Sequence, residues 1–215
     1  MSDNLIGYYA RRALEYEKIY QKPERQQDIP RIIDYLRTEL SELNVLEIAC
    51  GTGYWTQYIA QSARSILATD INKEVLELAE RKDYLRKNVR VEIADIYKLD
   101  NIKDNFDAGC GCFIWSHIPT QRLAEFLRVA HQKIRQNGKV VFIDNLYAPG
   151  SSTPIAKQDN EGNTYQVRKL ADGTEHMVLK NFPDEDFIRK QLGKIAKDVK
   201  FQKLQYYWLL SYQLI

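Results

Sequence analysis

The sequence predicts an α/β fold in which a mostly parallel sheet is covered by helices on both faces. Short apolar runs alternate with amphipathic stretches from residue 45 to residue 145, and this alternation is typical of such sheets. The glycines and acids that stand out from the pattern follow the apolar runs, where the carboxyl ends of parallel strands form a ligand site. The chain has 215 residues, which suits one domain spanning 1–215.

The first 43 residues are predicted to be helical and to lie outside the sheet. An aromatic and charged stretch runs from Tyr8 to Tyr20, and residues 29–40 repeat apolar side chains at helical spacing. Because this segment precedes the first strand and is rich in tyrosine and arginine, we expect it to close over a ligand as a lid.

Five strands and three helices are predicted in the core, residues 44–146. The expected strands are 45–49, 65–69, 89–94, 106–114 and 139–145. The expected helices are one that ends at Ala60, one over 73–81 and one over 119–135 that Asn137-Gly138 stops.

The alternation of strands and helices breaks after residue 146. Residues 147–182 predict a loop followed by a hairpin insert, whose arms 164–170 and 174–180 flank Ala171-Asp172-Gly173. Residues 183–215 predict a helix over 184–196 and two strands over 199–204 and 206–214. The link between these strands is too short for a parallel crossover, so one of them must run antiparallel and the sheet is mixed.

Composition excludes several classes of protein. Lys and Arg number 31 and Asp and Glu number 29, and the net charge of +2 gives no support for binding to nucleic acid or to a membrane surface. No apolar run approaches the roughly 18 residues of a membrane span, and the N-terminus has no signal-peptide pattern. Three cysteines suit a reducing compartment, so we expect a cytoplasmic location.

A glycine turn and three acids predict the ligand site. Gly51 and Gly53 follow the first strand, where glycine lets the backbone approach a ligand closely. Glu47, inside the end of that strand, opposes a polyanion and suits a ligand that carries a cation. Asp70 ends the second strand, placed to accept the hydroxyls of a ribose, and Asp95 ends the third, placed to accept an adenine amine.

These residues resemble the class I S-adenosylmethionine-dependent methyltransferases. The resemblance rests on residues 45–53, on Asp70 and on Ala94-Asp95-Ile96, and it covers nearly the whole chain. The chain is also similar to small bacterial O-methyltransferases, including those that methylate a phosphonate. That similarity rests on four stretches, which are residues 8–16, 53–56, 117–119 and 167–173.

The resemblance implies a Rossmann-like sheet of seven strands in the order 3-2-1-4-5-7-6, with strand 7 antiparallel. It implies S-adenosyl-L-methionine as cofactor and S-adenosyl-L-homocysteine as product. The implied cofactor-binding residues are Tyr16, Glu47, Ala49, Gly51, Gly53, Asp70, Ile71, Asp95, Ile96 and Phe113. Ala49 stands where the family usually has its first glycine.

The acceptor is predicted to be a small acid, a carboxylate or phosphonate, methylated on oxygen. Arg12, Arg168 and Lys180 are the candidate anion-binding residues. His117, near the end of strand four, is the candidate catalytic base for an acceptor that has a proton to lose, or else a wall of the pocket. The three cysteines and His117 lack the usual zinc-ligand spacing, so no metal is expected.

Three other functions stay open at this point. An NAD-dependent oxidoreductase shares the fold type but needs a third glycine where this chain has Thr56. A nucleic-acid methyltransferase that modifies base amines usually has an Asn/Asp-Pro-Pro-aromatic motif, and residues 112–117 lack one. A non-catalytic protein that binds S-adenosylmethionine would keep the same cofactor pocket. We expect a small-molecule acceptor and a monomer or homodimer.

Overall fold

The computed structural model describes the backbone of residues 3–215 and the side chains of residues 7–12, 15 and 17–215. The N-terminal segment is helical, as predicted. It consists of helix α1 (Asp3–Arg12), 3₁₀ helices over Ala13–Gln21 and Pro23–Arg25, and helix α2 (Asp28–Glu39).

The core alternates strands and helices as the apolar pattern predicts. Its strands are β1 (Asn44–Ile48), β2 (Ser65–Asp70), β3 (Val89–Ile93), β4 (Phe106–Cys112) and β5 (Ile134–Asn145). Its helices are α3 (Thr56–Ile59), α4 (Lys73–Glu80) and α5 (Leu123–His131). Strands β1 to β5 pair in parallel.

The helix predicted over residues 119–135 is wrong at both ends. A 3₁₀ turn over Thr120–Arg122 precedes α5, and the α-helix ends at His131. Ile134 already pairs with Phe106 of β4, and the register then shifts. The shift includes Asn137, whose φ of 60° adds a left-handed residue inside β5. The Asn-Gly pair therefore marks an irregularity within the strand instead of the end of a helix.

The C-terminal region completes the sheet. It contains helix α6 (Glu185–Leu192), which ends four residues before the predicted Ala196, and strands β9 (Ala196–Lys203) and β10 (Tyr207–Leu214). Strand β10 lies between β5 and β9 and runs antiparallel to both. Counted along this sheet alone, the strand order is 3-2-1-4-5-7-6 with the seventh strand reversed, as the resemblance implies.

The hairpin insert forms a separate small sheet. Strands β7 (Thr164–Lys169) and β8 (Glu175–Leu179) make the predicted hairpin, and a short strand β6 (Lys157–Gln158), which the sequence does not predict, pairs with β7. Residues before and after the insert belong to the large sheet, so the hairpin lies beside the carboxyl ends of its parallel strands.

Two apolar clusters cover the two faces of the large sheet. Leu46 and Ile48 of β1 pack on the face covered by α5 and α6, and Val45 packs on the face covered by α2, α3 and α4. Helices therefore lie on both faces, as predicted. Over residues 3–215, no helix is both long and apolar enough to cross a membrane.

Candidate active site

The turn after β1 adopts left-handed backbone conformations at alternate residues. Ala49, Gly51 and Gly53 have φ values of 56°, 56° and 76°. A Cβ on Gly53 would lie 2.6 Å from the Tyr84 hydroxyl oxygen, so both the conformation and the space require glycine there. Ala49 keeps a Cβ in this conformation, which costs about 1–2 kcal/mol for an L-residue. This conformational cost explains why the family usually has glycine at this position.

Asp70 joins the end of β2 to this turn. Its Oδ2 accepts the backbone N–H of Gly51 at 3.0 Å, and its Oδ1 accepts that of Asn72 at 2.9 Å. Burial raises the pKa of Asp70, while these N–H groups act in the opposite direction. The carboxylate is held in one orientation at the carboxyl ends of the central strands.

Glu47 is a buried carboxylate that lacks a cationic partner among the described residues. The side chain is 1% exposed, and the Thr56 side chain is the hydrogen-bonding group that acts on it. Burial raises the pKa of Glu47 to about 8. A buried acid of this kind is costly unless a cationic or hydrogen-bonding group satisfies it, so the site suits a ligand that carries such a group.

A small cavity of about 60 Å³ lies over this turn. It brings together four of the predicted cofactor-binding residues. Its lining residues are Tyr9, Ala49, Gly51, Asp70, Asn72, Val75, Cys112, Phe113, Ile114 and His117. This space is far smaller than the roughly 300 Å³ or more of most ligand pockets. Tyr9 of α1 closes one side of it, so a large ligand requires α1 to move.

The other six predicted cofactor residues, Glu47 and Gly53 among them, lie outside the lining of this cavity. Asp95 follows β3 and accepts the N–H of Tyr97 at 3.0 Å. Ile96 is buried in the apolar cluster on the α5 face, and Ile71 is half-buried. Tyr16 lies in the 3₁₀ segment after α1, and its side chain is outside the described part of the structure. The roles expected for these residues stay predictions.

A larger cavity of about 280 Å³ adjoins the small one, and Tyr9, Phe113 and His117 line both. All three predicted acceptor residues line it, together with three further cations. The cationic lining residues are Arg12, Lys22, Arg25, Arg168, Lys169 and Lys180. Within the described residues no carboxylate lines this cavity.

Lys180 belongs to a buried ion pair that the sequence does not predict. The side chain is 4% exposed, and its Nζ donates to Ser116 Oγ at 2.6 Å and to Asp144 Oδ1 at 3.1 Å. Ser116 also donates its hydroxyl to Asp144, at 2.8 Å. Burial lowers the pKa of Lys180 to about 8, and the negative charge of Asp144 opposes that change. Lys180 is thus fixed in the cavity wall by a partner of opposite charge.

His117 is held between the hairpin and the N-terminal helix. Its Nδ1 lies 2.7 Å from the Leu179 carbonyl oxygen, so this nitrogen carries the proton and donates it. Its Nε2 therefore accepts the hydroxyl hydrogen of Tyr9, at 2.8 Å. Burial, followed by the charges of Lys180 and Arg168, holds the pKa of His117 well below its usual range. The imidazole is neutral near pH 7.

Several residues of the site are not predicted by the sequence pattern. Asp144 lies near the end of β5, just as Asp70 lies at the end of β2. The tendency of site residues to lie at strand ends therefore points to Asp144 as well. Lys22 and Arg25 stand in a segment without a motif, and only the fold brings them to the cavity. The cysteines are buried, and no described cluster of three His, Cys, Asp or Glu residues could hold a metal ion.

Residues 45–138 match the family described as the methyltransferase domain. An uncharacterized methyltransferase of Oceanobacillus iheyensis is 19% identical over 92% of this chain and 86% of its own length. The chain therefore contains a methyltransferase domain. Solved structures with a similar fold contain bound SAM or SAH.

Other similar proteins are O-methyltransferases. The methyltransferase is 31% identical to a malonyl-[acyl-carrier protein] O-methyltransferase of a Paenibacillus species, over 49% of this chain and 40% of that protein. It is 25% identical to a ubiquinone biosynthesis O-methyltransferase of Xanthomonas oryzae pv. oryzae, over 68% of this chain and 61% of that protein. The chain thus spans less than two thirds of either protein.

The fold of the methyltransferase is similar to that of DhpI. The complex of DhpI with SAH superimposes with a TM-score of 0.80 at 22% identity and covers 99% of this chain and 96% of that one. The complex of DhpI with SAM and HEP gives a TM-score of 0.81 at 23% identity, with 99% of both chains covered. These values show a common fold.

Residues at the end of β1 and in the turn after it fit S-adenosylmethionine. Glu47 is a buried carboxylate with no cationic partner in the described part of the chain, and S-adenosylmethionine carries an ammonium group. No atom lies within 4 Å of the position that a Cβ would take on Gly51, which leaves open space above the turn. This end of the sheet can therefore hold a ligand that carries a positive charge.

Proposed function

We propose that the methyltransferase transfers a methyl group to an oxygen of a small acid, a carboxylate or a phosphonate. The observation that carries the proposal is the cation-lined cavity next to the glycine turn. The two cavities share the walls formed by Tyr9, Phe113 and His117, so ligands in the two spaces would meet there. An anionic acceptor suits the larger cavity because charge-assisted hydrogen bonds from Arg and Lys are strong.

Cofactor binding is assigned to the small cavity and its surroundings. Glu47 would accept hydrogen bonds from the ammonium group, Asp70 from the ribose hydroxyls and Asp95 from the adenine amine. The remaining assignments, by position only, are Ala49, Gly51 and Gly53 for the methionine part and Tyr16, Ile71, Ile96 and Phe113 for other contacts. The bound cofactor supplies a methyl group that is activated by a positively charged sulfur.

Acceptor binding is assigned to the larger cavity. Arg12, Arg168 and Lys180 would hold the acidic group, and an oxygen that is already anionic needs no base. His117 suits this reaction because its low pKa makes it a weak proton acceptor, and its Nδ1 proton is donated to the Leu179 carbonyl oxygen. We therefore assign His117 to the cavity wall. Alignment of the reacting groups in a dry site then supplies most of the rate enhancement.

Helix α1 is assigned the role of a lid. Tyr9 lines both cavities and donates its hydroxyl to His117, so α1 would open to admit a ligand and close over it again once it is bound. Amide hydrogen exchange in residues 5–22 should slow on addition of S-adenosylhomocysteine. Equal exchange with and without that ligand would contradict the assignment.

The names of similar proteins agree with an oxygen acceptor. The Paenibacillus and Xanthomonas relatives are named O-methyltransferases, the first acting on a malonyl group. DhpI, a phosphonate O-methyltransferase, was crystallised with SAM and HEP. These names support the proposal, and the acceptor of this chain has to be measured.

Methyl transfer to a panel of acids tests the proposal. The full chain and S-adenosylmethionine should methylate carboxylic or phosphonic acids in preference to phenols and amines. Arg168→Gln should raise the KM for the best acid roughly tenfold or more, because a charged hydrogen bond contributes about 1.5–3 kcal/mol. Lys157→Gln, an exposed site on β6 outside the cavity, is the control with the same loss of charge.

Two results would contradict the proposal. One is methylation of neutral phenols or amines with no transfer to acids. The other concerns His117: a pH–rate profile whose acid limb disappears in His117→Ala would make this residue a general base and the acceptor a protonated one.

A further inference from the structure

Arg25 is a fixed cation in the wall of the larger cavity and is not among the predicted acceptor residues. Its side chain is 7% exposed. The guanidinium donates from Nε to Ser151 Oγ at 3.0 Å and from Nη1 to Asn145 Oδ1 at 3.1 Å. It also lies over the rings of Tyr206 and Tyr207, 5.2 Å and 5.4 Å from their centroids. These contacts hold the charge in one place before any ligand arrives.

Lys22 adds a second cation to the same wall. Its Nζ donates to the backbone oxygen of Ser151 at 2.6 Å and lies 3.9 Å from Glu24 Oε1. Burial lowers the pKa of Lys22, the charge of Arg25 lowers it further, Glu24 opposes both, and Arg168 adds a smaller decrease. Lys22 is thus close to Arg25 and within electrostatic reach of the hairpin cations.

The charges of this wall are only partly balanced by the protein, through Glu24, which interacts with Lys22 and Arg25 and accepts the Ser151 hydroxyl hydrogen. In the part of the chain that the structure describes, Arg25 forms no ion pair, and the one carboxylate near Lys22 belongs to a pair that is partly open to solvent. Lys180, on the hairpin side, is paired with the buried Asp144. Because like charges repel across a cavity of about 280 Å³, an anionic group at the wall of Lys22 and Arg25 would be strongly favoured.

The two groups of cations come from different elements. Arg168 and Lys180 stand on β7 and just after β8, whereas Lys22 and Arg25 lie at the 3₁₀ turn Pro23–Arg25 and contact the loop after β5. The two groups adjoin in the cavity wall, because Asn145 accepts from Arg25 and donates to Asp144, the counter-ion of Lys180. Six cationic residues line this one cavity, which is more positive charge than a single acidic group neutralises.

We propose that Lys22, Arg25 and the Ser151 segment form a second anion-binding subsite, so that the acceptor carries two anionic groups. The inference rests on the proposed function. The first anionic group faces Arg168 and Lys180 and receives the methyl group, and the second binds Lys22 and Arg25 and is not methylated. The substrate class is a dicarboxylate or a phosphonocarboxylate. The second subsite orients the acceptor, because an acid held at both ends presents one defined oxygen.

Matched pairs of acids test the second subsite. The full chain, saturated with S-adenosylhomocysteine, is titrated calorimetrically with succinate and with butyrate, and then with 3-phosphonopropionate and with propylphosphonate. The members of each pair have similar size and differ by one carboxylate. We expect the member with two anionic groups to bind at least tenfold more tightly, the gain from one more charge-assisted contact.

Lys22 variants test whether the gain in affinity for the doubly anionic acids comes from this subsite. Lys22→Gln should remove most of the preference for the doubly anionic member, and Lys22→Arg should retain it. Lys157→Gln, with the same loss of charge outside the cavity, should leave the preference unchanged. Arg25 is left intact because it is buried, and thermal unfolding checks that each variant is folded.

Each contrary result has a distinct meaning. Equal binding of both members of each pair overturns the second subsite and leaves the proposed function standing. Equal weakening of both members by Lys22→Gln overturns it too, because Lys22 would then serve the first anionic group. If none of the four acids binds, the proposed function fails along with the subsite.

Discussion

The two adjoining cavities differ in the charge that they favour. The small one lies over Asp70 and near Glu47, both carboxylates, and no Lys or Arg among the described side chains lines it. The large one is lined by six cationic residues and by no described carboxylate. Between them stand the uncharged side chains Tyr9, Phe113 and His117. The molecule thus favours a positively charged ligand on one side of a neutral wall and a negatively charged ligand on the other.

The buried charges of the two cavities are stabilised in different ways. Lys180 has its counter-ion in Asp144, so its charge is supported by the protein itself. Glu47, near the small cavity, has no cationic partner in the described structure, and burial raises its pKa to about 8. Lys180 is therefore charged in advance, whereas Glu47 becomes charged when a cationic ligand binds.

Removing the counter-ion of Lys180 should have the largest effect. Asp144→Asn leaves a buried ammonium group without its opposite charge, and breaking a buried pair in this way costs about 3–5 kcal/mol. Urea unfolding should show this loss in the free energy of unfolding. The double variant Asp144→Asn/Lys180→Met should recover a large part of it, because the unpaired charge is gone. A single variant as stable as the parent would mean that Asp144 does not support the cation.

Replacing Asp70 should weaken ligand binding in the small cavity alone. Asp70→Ala should weaken binding of S-adenosylhomocysteine by about 1.5–3 kcal/mol, the contribution of a hydrogen bond to a charged group. Calorimetry measures this, and Asp100→Ala, an exposed acid after β3, is the control. Binding of small acids should change little. Unchanged cofactor affinity in a folded Asp70→Ala variant would remove this residue from the site.

Glu47 should make both stability and cofactor binding depend on pH. Its pKa is about 8 in the folded chain, against 4.5 for an ordinary glutamate, so the folded state holds the proton more tightly. The stability from Glu47 is then complete below pH 4.5 and falls as pH rises towards 8, by at most about 1.4 kcal/mol per pH unit. Glu47→Gln should lose this dependence when unfolding is followed from pH 5 to pH 8.

Cofactor affinity should change in the opposite direction. The ammonium group of the ligand needs the ionised carboxylate, so affinity for S-adenosylhomocysteine should rise with pH between about 6 and 7.5 in the parent and stay flatter in Glu47→Gln. A parent protein whose affinity is independent of pH would show that Glu47 does not contact the ammonium group.

The smallest effect is expected at Ala49. Glycine relieves the left-handed conformation, a gain of about 1–2 kcal/mol, and loses about 0.5–1 kcal/mol through the greater freedom of the unfolded chain. Ala49→Gly should therefore stabilise the protein by about 1 kcal/mol or less in urea unfolding. Ala124→Gly, an exposed position in α5, should instead cost about 1 kcal/mol. Destabilisation by Ala49→Gly would contradict this account of the turn.

The sequence predicts the sheet well because the signals for its strands are local. Continuous apolar runs mark β1 to β4, and the short link between β9 and β10 already requires an antiparallel strand. The start of β5 was missed because Ile134 lies next to a helix in sequence, and its strand pairing depends on Phe106, which is distant in the chain.

The same distinction holds for the candidate site. Asp70 could be placed from the sequence because it ends a strand, and the end of a strand is visible in the apolar pattern. The pair of Lys180 with Asp144 joins residues 36 positions apart, and the contact of Lys22 with Ser151 joins residues 129 apart. Neither has a local signal, because each depends on where the hairpin and the N-terminal segment pack.

The position of β10 has a consequence for the order of assembly during folding. Strand β5 ends at Asn145 and its antiparallel partner begins at Tyr207, so an edge of β5 stays unpaired until the whole intervening segment has been made and positioned. That edge is apolar, because Val141 and Ile143 are core residues. Non-local pairing of this kind is slow, and an open apolar edge is prone to join another chain. The protein is therefore most exposed to aggregation before its reversed strand is inserted.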